Sequence, residues 1–385
     1  MAEGRSQNLL RSAHRAPPSN YHRHAVDLKA IYLTTLERCA PEKLVRPLIT
    51  RGMPRNVVAI GKCAGALLDG VAAVHDIESA FVAIPQGYKL PDGGAAAALG
   101  RRYSRESGGR SGRRFTTHVE IHIGGHPQMT RASFEAGRAL LEFVDAHRDI
   151  LFLVSGGGSA CVEVALAGHS EDELIERNAG LIASGMDISA INGERKKLSA
   201  IKGGKLGERV RGEAVTLIYS DVSRGKLEDV ASGPSLKNMI LIADNDTLTS
   251  TAAELMDAKR LPDQIECDVQ EAATLLAREK GIVAGGEPTV KITGPGRGGR
   301  CTELAVRFAM RSTAEALFAS SDGVDGNSGV AGIYLPHRDN IGGGPEWEAA
   351  LAASDSMRIA TQIGEPIMIT PSGNNLRDLF LVARD

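Results

Sequence analysis

The chain has 385 residues, 42% hydrophobic and 24% charged, which is enough length and apolar content for two domains with buried cores. Its 45 Lys and Arg against 47 Asp and Glu leave a formal net charge of -2, and aromatics are 4%; both argue against binding nucleic acid by bulk charge or by base stacking. Five widely spaced cysteines without a CxxC pair argue against a disulfide framework or a structural zinc, and no apolar run approaches the roughly 20 residues of a bilayer span, so a cytoplasmic enzyme or binding protein is expected.

Residues 1–24 are rich in Arg and His, with Glu3 as the one acid, and are expected to form a disordered tail. Val26, Ile31, Leu33 and Leu36 predict an amphipathic helix that stops before Pro41. Asn56 to Ile60 is a short apolar strand. Gly61 and Lys62 follow it and a small-residue helix comes next, the start of a βαβ unit. A second strand spans Ala80 to Pro85. Residues 92–114 are rich in Gly, Ala and Arg without periodicity; they predict a disordered surface insertion, with a basic lid over an anion as the functional alternative.

A strand is expected at His118 to Ile123, then a helix over about Arg131 to His147 with Phe134, Leu141 and Val144 on one face. Ile150 to Val154 is continuously apolar, as in a buried parallel strand, and runs into Ser155-Gly156-Gly157-Gly158-Ser159-Ala160. Ser170 and Glu173 predict a capping box for a helix ending near Gly185. Val215 to Tyr219 is a strand leading to Ser220 and Asp221. A helix-rich stretch over about 247–280 precedes a second domain. That domain opens on a glycine-broken strand pair, including Thr289 to Thr293, then a helix from Cys301 to about Leu317, a strand at Ala316 to Ala319 and the turn Ser321-Asp322-Gly323. Alternating strands and helices imply a layered α/β architecture, with one domain over 25–262 and a smaller one over 278–385.

Several motifs carry chemistry. Three glycines between Ser155 and Ser159, after a buried strand, suit an anion nest; the plainer reading is a tight turn needing positive φ. Lys62, before a helix start, can hold a phosphate or be a surface charge. Arg195, Lys196, Lys197, Lys202 and Lys205 cluster around a Gly-Gly break that would aim them at one locus; the plainer reading is a solvated helix face. Gly294 to Gly299 is a formal G-x-G-x-x-G, but Arg297 and Arg300 crowd it and no acid follows about 20 positions later. Asp221, Asp322 and Asp325 can hold Mg²⁺ or orient a hydroxyl, or simply form turns. His126 has no metal spacing and reads as structural or substrate-facing.

Taken in order, AIGKCAGAL, IGGHP, LVSGGGSA, INGERKKLSAIKGGKL, LIYSDV, ASGPS, GGEPTV, GPGRGGRCTE and SSDGVDGNSG resemble the class II glycerate 2-kinases, the family with an N-terminal DUF4147 domain and a C-terminal MOFRL domain. The resemblance implies a layered αβα Rossmann-like domain, a smaller MOFRL-like α/β domain and an active site in the cleft between them. It implies transfer of phosphate from ATP, with Mg²⁺, to D-glycerate. By the same resemblance, Lys62 and Arg300 are catalytic and face the cleft. Ser155, Gly156, Gly157, Gly158, Ser159, Arg195 and Lys196 bind substrate or phosphate. Gly296, Gly298 and Gly299 bind nucleotide, and Asp221 and Asp322 are candidate metal ligands. The chain departs from the family pattern at GHPQMT, at GGRCTE and at Ser223-Arg224-Gly225. The alternatives are an NAD(P)H-dependent hydroxypyruvate reductase using GPGRGG and a kinase-like protein that binds another sugar acid. The expected partner is a small hydroxy acid, without nucleic acid or membrane, in a chain that forms a homodimer.

Overall fold

The computed structural model describes residues 27–88, 118–184 and 188–384. The tail at 1–24 and the insertion at 92–114 lie outside the described residues. No described helix is long and apolar enough to cross a membrane.

The segments Asn56–Ile60 (β1), Ser79–Pro85 (β2), His118–Gly124 (β3), Ile150–Ser155 (β4), Ala214–Tyr219 (β5) and Met239–Ala243 (β6) form one sheet. Its strand order is β3-β2-β1-β4-β5-β6, and every neighbouring pair is parallel. Strands buried on both faces need no polar alternation, which explains the continuous run at β4. Successive side chains still feed opposite layers. Val58 and Ile60 join Leu140, Phe143 and Val144 of the helix Arg131–Ala146. Val57 and Ala59 join Leu67 and Leu68 of the helix Ala64–Ala72.

A second sheet has the order β11-β10-β9-β12-β8-β7, from Lys259–Arg260 (β7), Ile282–Gly286 (β8), Ala316–Ser320 (β9), Gly332–Leu335 (β10), Glu365–Ile367 (β11) and Asp378–Val382 (β12). It is antiparallel except at β7 and β8. The helices Val269–Leu276, Arg300–Ala309 and Ser356–Ile363 cover one face through Leu276, Leu304, Phe308 and Ile359. The helices Leu28–Arg38 and Asn245–Met256 cover the other, where Tyr32, Leu36 and Leu248 meet Leu317, Leu379 and Leu381. The same apolar cluster contains Val57, Leu67 and Leu153, so one core joins the two sheets. That continuity fixes the loops of one sheet over the strand ends of the other.

Three local expectations change. The helix after GPGRGG ends at Ala309, short of Leu317. Arg338 donates to the carbonyls of Ala309 and Ser312, and the Ser312 hydroxyl accepts from the Ala314 amide at 3.2 Å, which turns the chain early into β9. The expected strand at Thr289 to Thr293 is a rim segment; Thr289 forms only a single bridge to Asp268. Only the Ser170 half of the capping box forms, because the Glu173 carboxylate goes to His169 at 3.0 Å and Arg177 at 2.9 Å.

Candidate active site

In an open parallel sheet, the ligand crevice opens outside the carboxyl ends of the strands where the strand order reverses. Here that point lies between β1 and β4. Lys62 follows β1 and the 155–159 loop ends β4, so two sequence-flagged motifs fall on the switch point. His126 and Asp221 follow β3 and β5 on the same rim. A cleft of about 1280 Å³ runs from this rim to the second sheet. Gly156, Gly157, Ser159, Asp221, Arg195 and His126 line one wall. Gly296, Gly298, Gly299, Glu287, Arg300 and Arg377 line the other. Ser155, Gly158, Lys62, Lys196 and Asp322 stand outside this lining.

The two switch-point turns are stitched together. The Lys62 amide donates to the Gly156 carbonyl at 2.8 Å, and the Cys63 amide donates to Ser155 Oγ at 3.0 Å. Gly61 takes φ +111°, and a Cβ there would strike the Ser155 carbonyl, so no other residue fits. Gly157 takes φ +83° and caps the short helix Gly158–Cys161, so the turn needs glycine at that position. Ser159 Oγ meets Ser232 Oγ at 2.8 Å, and Ser232 Oγ donates to Asn192 Oδ1 at 3.0 Å. Ala231 and Ser232 hold φ of 52° and 60°, a left-handed pair that costs on the order of 1–3 kcal/mol per residue and marks a site held by its surroundings.

Lys62 does not project into open solvent. Its Nζ donates to Asp322 Oδ2 at 2.9 Å and lies 5.3 Å from the Tyr88 ring centre. Burial works to lower its pKa, but the charge of Asp322 beside it prevails and the ammonium is held above its ordinary range. Asp322 is filled by protein donors: Ser320 Oγ at 2.9 Å and the Val324 amide at 3.0 Å on Oδ1, Lys62 and Tyr88 on Oδ2. Burial opposes its ionisation, yet Lys62 and these donors hold its pKa below the usual value. Asp221 accepts from Asn375 Nδ2 at 2.8 Å, and burial raises its pKa against the pull of Lys62. Arg300 clamps the fully buried Asp378 with Nε at 3.1 Å and Nη2 at 3.2 Å, and reaches Glu287 with Nη1 at 2.9 Å. Burial disfavours its charge, but Asp378 and Glu287 outweigh that. Arg377 joins Glu287 from the other side at 3.3 Å.

The basic segment does not converge on one locus. Lys196 pairs with Asp229 at 2.6 Å, Lys197 pairs with Glu194, and Lys202 is buried against Glu163. Lys205 donates to the carbonyls of Lys196 and Ser199. Helical periodicity separates Arg195, Lys196 and Lys197, the helix ends at Leu198 before Lys202 and Lys205, and of the five only Arg195 faces the cleft.

The GPGRGG turn is also not an amide cradle. Gly294 and Gly296 donate to Ser354 Oγ and the Ala353 carbonyl, and Arg297 donates to Asp355 Oδ1. Gly298 and Gly299 donate to Asn327 Oδ1 and Thr302 Oγ1, both at 2.7 Å. Pro295 has no N–H. The next helix start is capped by Asp325, whose carboxylate takes the Cys301 and Thr302 amides at 2.9 and 2.8 Å. The glycines allow close packing on the 353–356 loop, so they shape the cleft wall without offering free donors.

His126 was read from the sequence as structural or substrate-facing, whereas Tyr88, Asn375, Asp378 and Arg377 were not singled out, because their partners come from distant positions. Burial first, then Lys62 and Arg195, lowers the His126 pKa to about 4. A base whose folded pKa lies below its unfolded value of 6.5 stabilises the fold above pH 6.5 and loses that contribution as pH falls toward 4. Denaturant titrations of wild type across pH 7 to 4 should show this loss, and His126→Asn should flatten it. An unchanged slope in the variant would assign the acid sensitivity elsewhere.

Comparison with known proteins places this geometry in a family. Residues 27–273 match the model described as a domain of unknown function, DUF4147, and residues 280–378 match the MOFRL family. The chain is similar to a D-glycerate 2-kinase from Thermotoga maritima, 28% identical over 332 residues, covering 68% of this chain and 79% of the relative. It is also similar to an Agrobacterium vitis protein named as a hydroxypyruvate reductase, 27% identical over 398 residues, covering 84% and 85%. Its fold matches the crystal structure of a Thermotoga maritima glycerate kinase with a TM-score of 0.74 at 25% identity, over 92% of this chain and 98% of that one. A layered α/β chain with a parallel six-stranded sheet, a second, mostly antiparallel six-stranded sheet and these two consecutive matches belongs to the DUF4147 family, in its combination with a MOFRL domain.

Proposed function

We propose that this chain is a glycerate 2-kinase, transferring the γ-phosphoryl group of ATP to the 2-hydroxyl of D-glycerate. The observation that carries the reading is the stitching of Lys62's turn to the 155–159 glycine turn at the strand-order reversal, with Arg300 on the facing cleft wall. Phosphoryl transfer asks the protein mainly for positioning and for fixed charge around the transferring oxygens. Lys62, aimed by Asp322, and Arg300, aimed by Asp378 and Glu287, supply two cations whose orientation is set before substrate arrives. The turn at Gly157 and Gly158 offers backbone donors, and the cleft wall at Gly296, Gly298 and Gly299 leaves room for the nucleotide.

Among the described residues, no three His, Cys, Asp or Glu side chains gather to hold a metal unaided. Mg²⁺ needs no such cluster, since it binds through one or two carboxylates and substrate phosphates. Asp221 on the cleft wall is the carboxylate for it, whereas Asp322 is committed to Lys62. Bound there, the ion would offset charge on the nucleotide phosphates.

The reductase reading draws on the name given to two Agrobacterium vitis relatives, but the satisfied GPGRGG amides leave it no dinucleotide cradle. The test is ADP release with ATP, Mg²⁺ and a panel of small hydroxy acids, with product position read by phosphorus NMR. D-glycerate is expected to give 2-phosphoglycerate. Absence of acid-dependent ADP release, or steady NADH or NADPH oxidation with hydroxypyruvate, would overturn the proposal.

A further inference from the structure

Two polar groups on the cleft wall have unspent bonding capacity. His126 Nδ1 is shielded from solvent and has no hydrogen-bond partner among the described residues. Arg195 is 8% exposed and forms no ion pair among the described residues. Its Nε donates to Asn178 Oδ1 at 2.8 Å, and that bond fixes the guanidinium by one edge. The nearby Glu163 is committed to Lys202 and to Ser199 Oγ. A buried cation without a counter-ion costs several kcal/mol, so a site that keeps one is built for an anion. With Nε engaged, the two Nη groups remain as a fork that fits both oxygens of a carboxylate.

From this pairing we infer that Arg195 and His126 form the subsite for the carboxylate of the acceptor acid, with Arg195 gripping it through its Nη fork and His126 donating from Nδ1–H. This rests on the kinase reading for the identity of the acid. The charge count favours a carboxylate over a phosphate group. The subsite holds one cation beside an imidazole that stays neutral near pH 7, which matches a monoanion. Lys62 and Arg300, on other elements, remain for the phosphates. The subsite separates hydroxy acids from uncharged polyols, because a polyol would leave Arg195 buried and unpaired.

The experiment measures KM for D-glycerate and for ATP separately. Arg195→Gln should raise KM for D-glycerate by at least about 30-fold, the scale for a lost charge-assisted pair, with KM for ATP within about threefold. Arg195→Lys should fall between. His126→Phe should raise the same KM by about 10-fold, and His126→Asn, which keeps an N–H near the Nδ1 position, should raise it by less than His126→Phe does. A shift in KM for ATP instead would assign the anion to the nucleotide and overturn the inference, as would an unchanged KM for D-glycerate in Arg195→Gln. A binding arm uses thermal shift: D-glycerate and lactate should raise the wild-type Tm, glycerol should not, and Arg195→Gln should abolish the response. If wild type proves not to be a kinase, the function falls but this arm still judges the subsite. No stabilisation by either acid would then overturn it. Circular dichroism of Arg195→Gln separates lost binding from lost folding.

Discussion

Replacing Lys62 by Ala should lower kcat by at least about 100-fold, the scale for removing one preorganised charge from a developing oxyanion. The chain should stay folded. Asp322 would lose its cation but keep Ser320 Oγ, the Val324 amide and Tyr88 as donors. A carboxylate left with three donors is partly satisfied, so the cost should stay at about 1–3 kcal/mol. The loss should sit in kcat more than in KM for ATP, because a contact made in the transition state raises kcat. Lys62→Met keeps the stem beside Gly157 and should be as inactive as Lys62→Ala. Asp322→Asn should be milder in stability and intermediate in rate, since Lys62 would keep its charge but lose its aim. Near-normal turnover in Lys62→Met would remove Lys62 from the chemistry.

The first sheet was readable where its strands are apolar runs that end at a glycine, as β1 and β4 do; the largely exposed strand β6 was not foreseen. β1, β4 and β5 begin or end within a residue of their predicted limits. The glycine turn and Lys62 were legible for the same reason: a strand, a glycine and a helix start already define where a crevice can open. What could not be read was partnership. Asp322 reaches Lys62 from 260 positions away, and Arg300 reaches Asp378 across 78. Nothing local in either segment encodes the other. The basic run from Arg195 to Lys205 shows the converse error. Its charges are local, but Asp229, Glu194 and Glu163 divide them among structural pairs. The GPGRGG turn fails in a similar way. Its glycines suggested free amides, whereas Asn327, Asp355 and Asp325 occupy that region with acceptors of their own.

Arg300→Ala should cost activity and more stability than the Lys62 change: Arg300 lines the cleft, as expected, but its guanidinium is also committed to a buried carboxylate. Asp378 is fully buried on β12, and its two carboxylate oxygens bond the Arg300 guanidinium. Removing the cation leaves a buried charge without its counter-ion, which costs about 3–5 kcal/mol in a dry pair; with Arg300 one-third exposed, about 3 kcal/mol is the better expectation. Tm should fall by several degrees, and kcat should fall by at least about 100-fold. Activity alone would not tell a catalytic arginine from a structural one, so the decisive comparison is the double change. Arg300→Ala with Asp378→Asn removes the stranded charge and should recover most of the lost Tm without recovering turnover. Asp378→Asn alone keeps the cation but loosens its clamp, and Glu287 still holds Nη1. Its rate should therefore lie between wild type and Arg300→Ala. If turnover returns with stability in the double variant, Arg300 serves the fold and not the phosphoryl group. If neither returns, the cost of the first change lies outside this pair, and the clamp on Asp378 is not what holds the β12 end of the cleft.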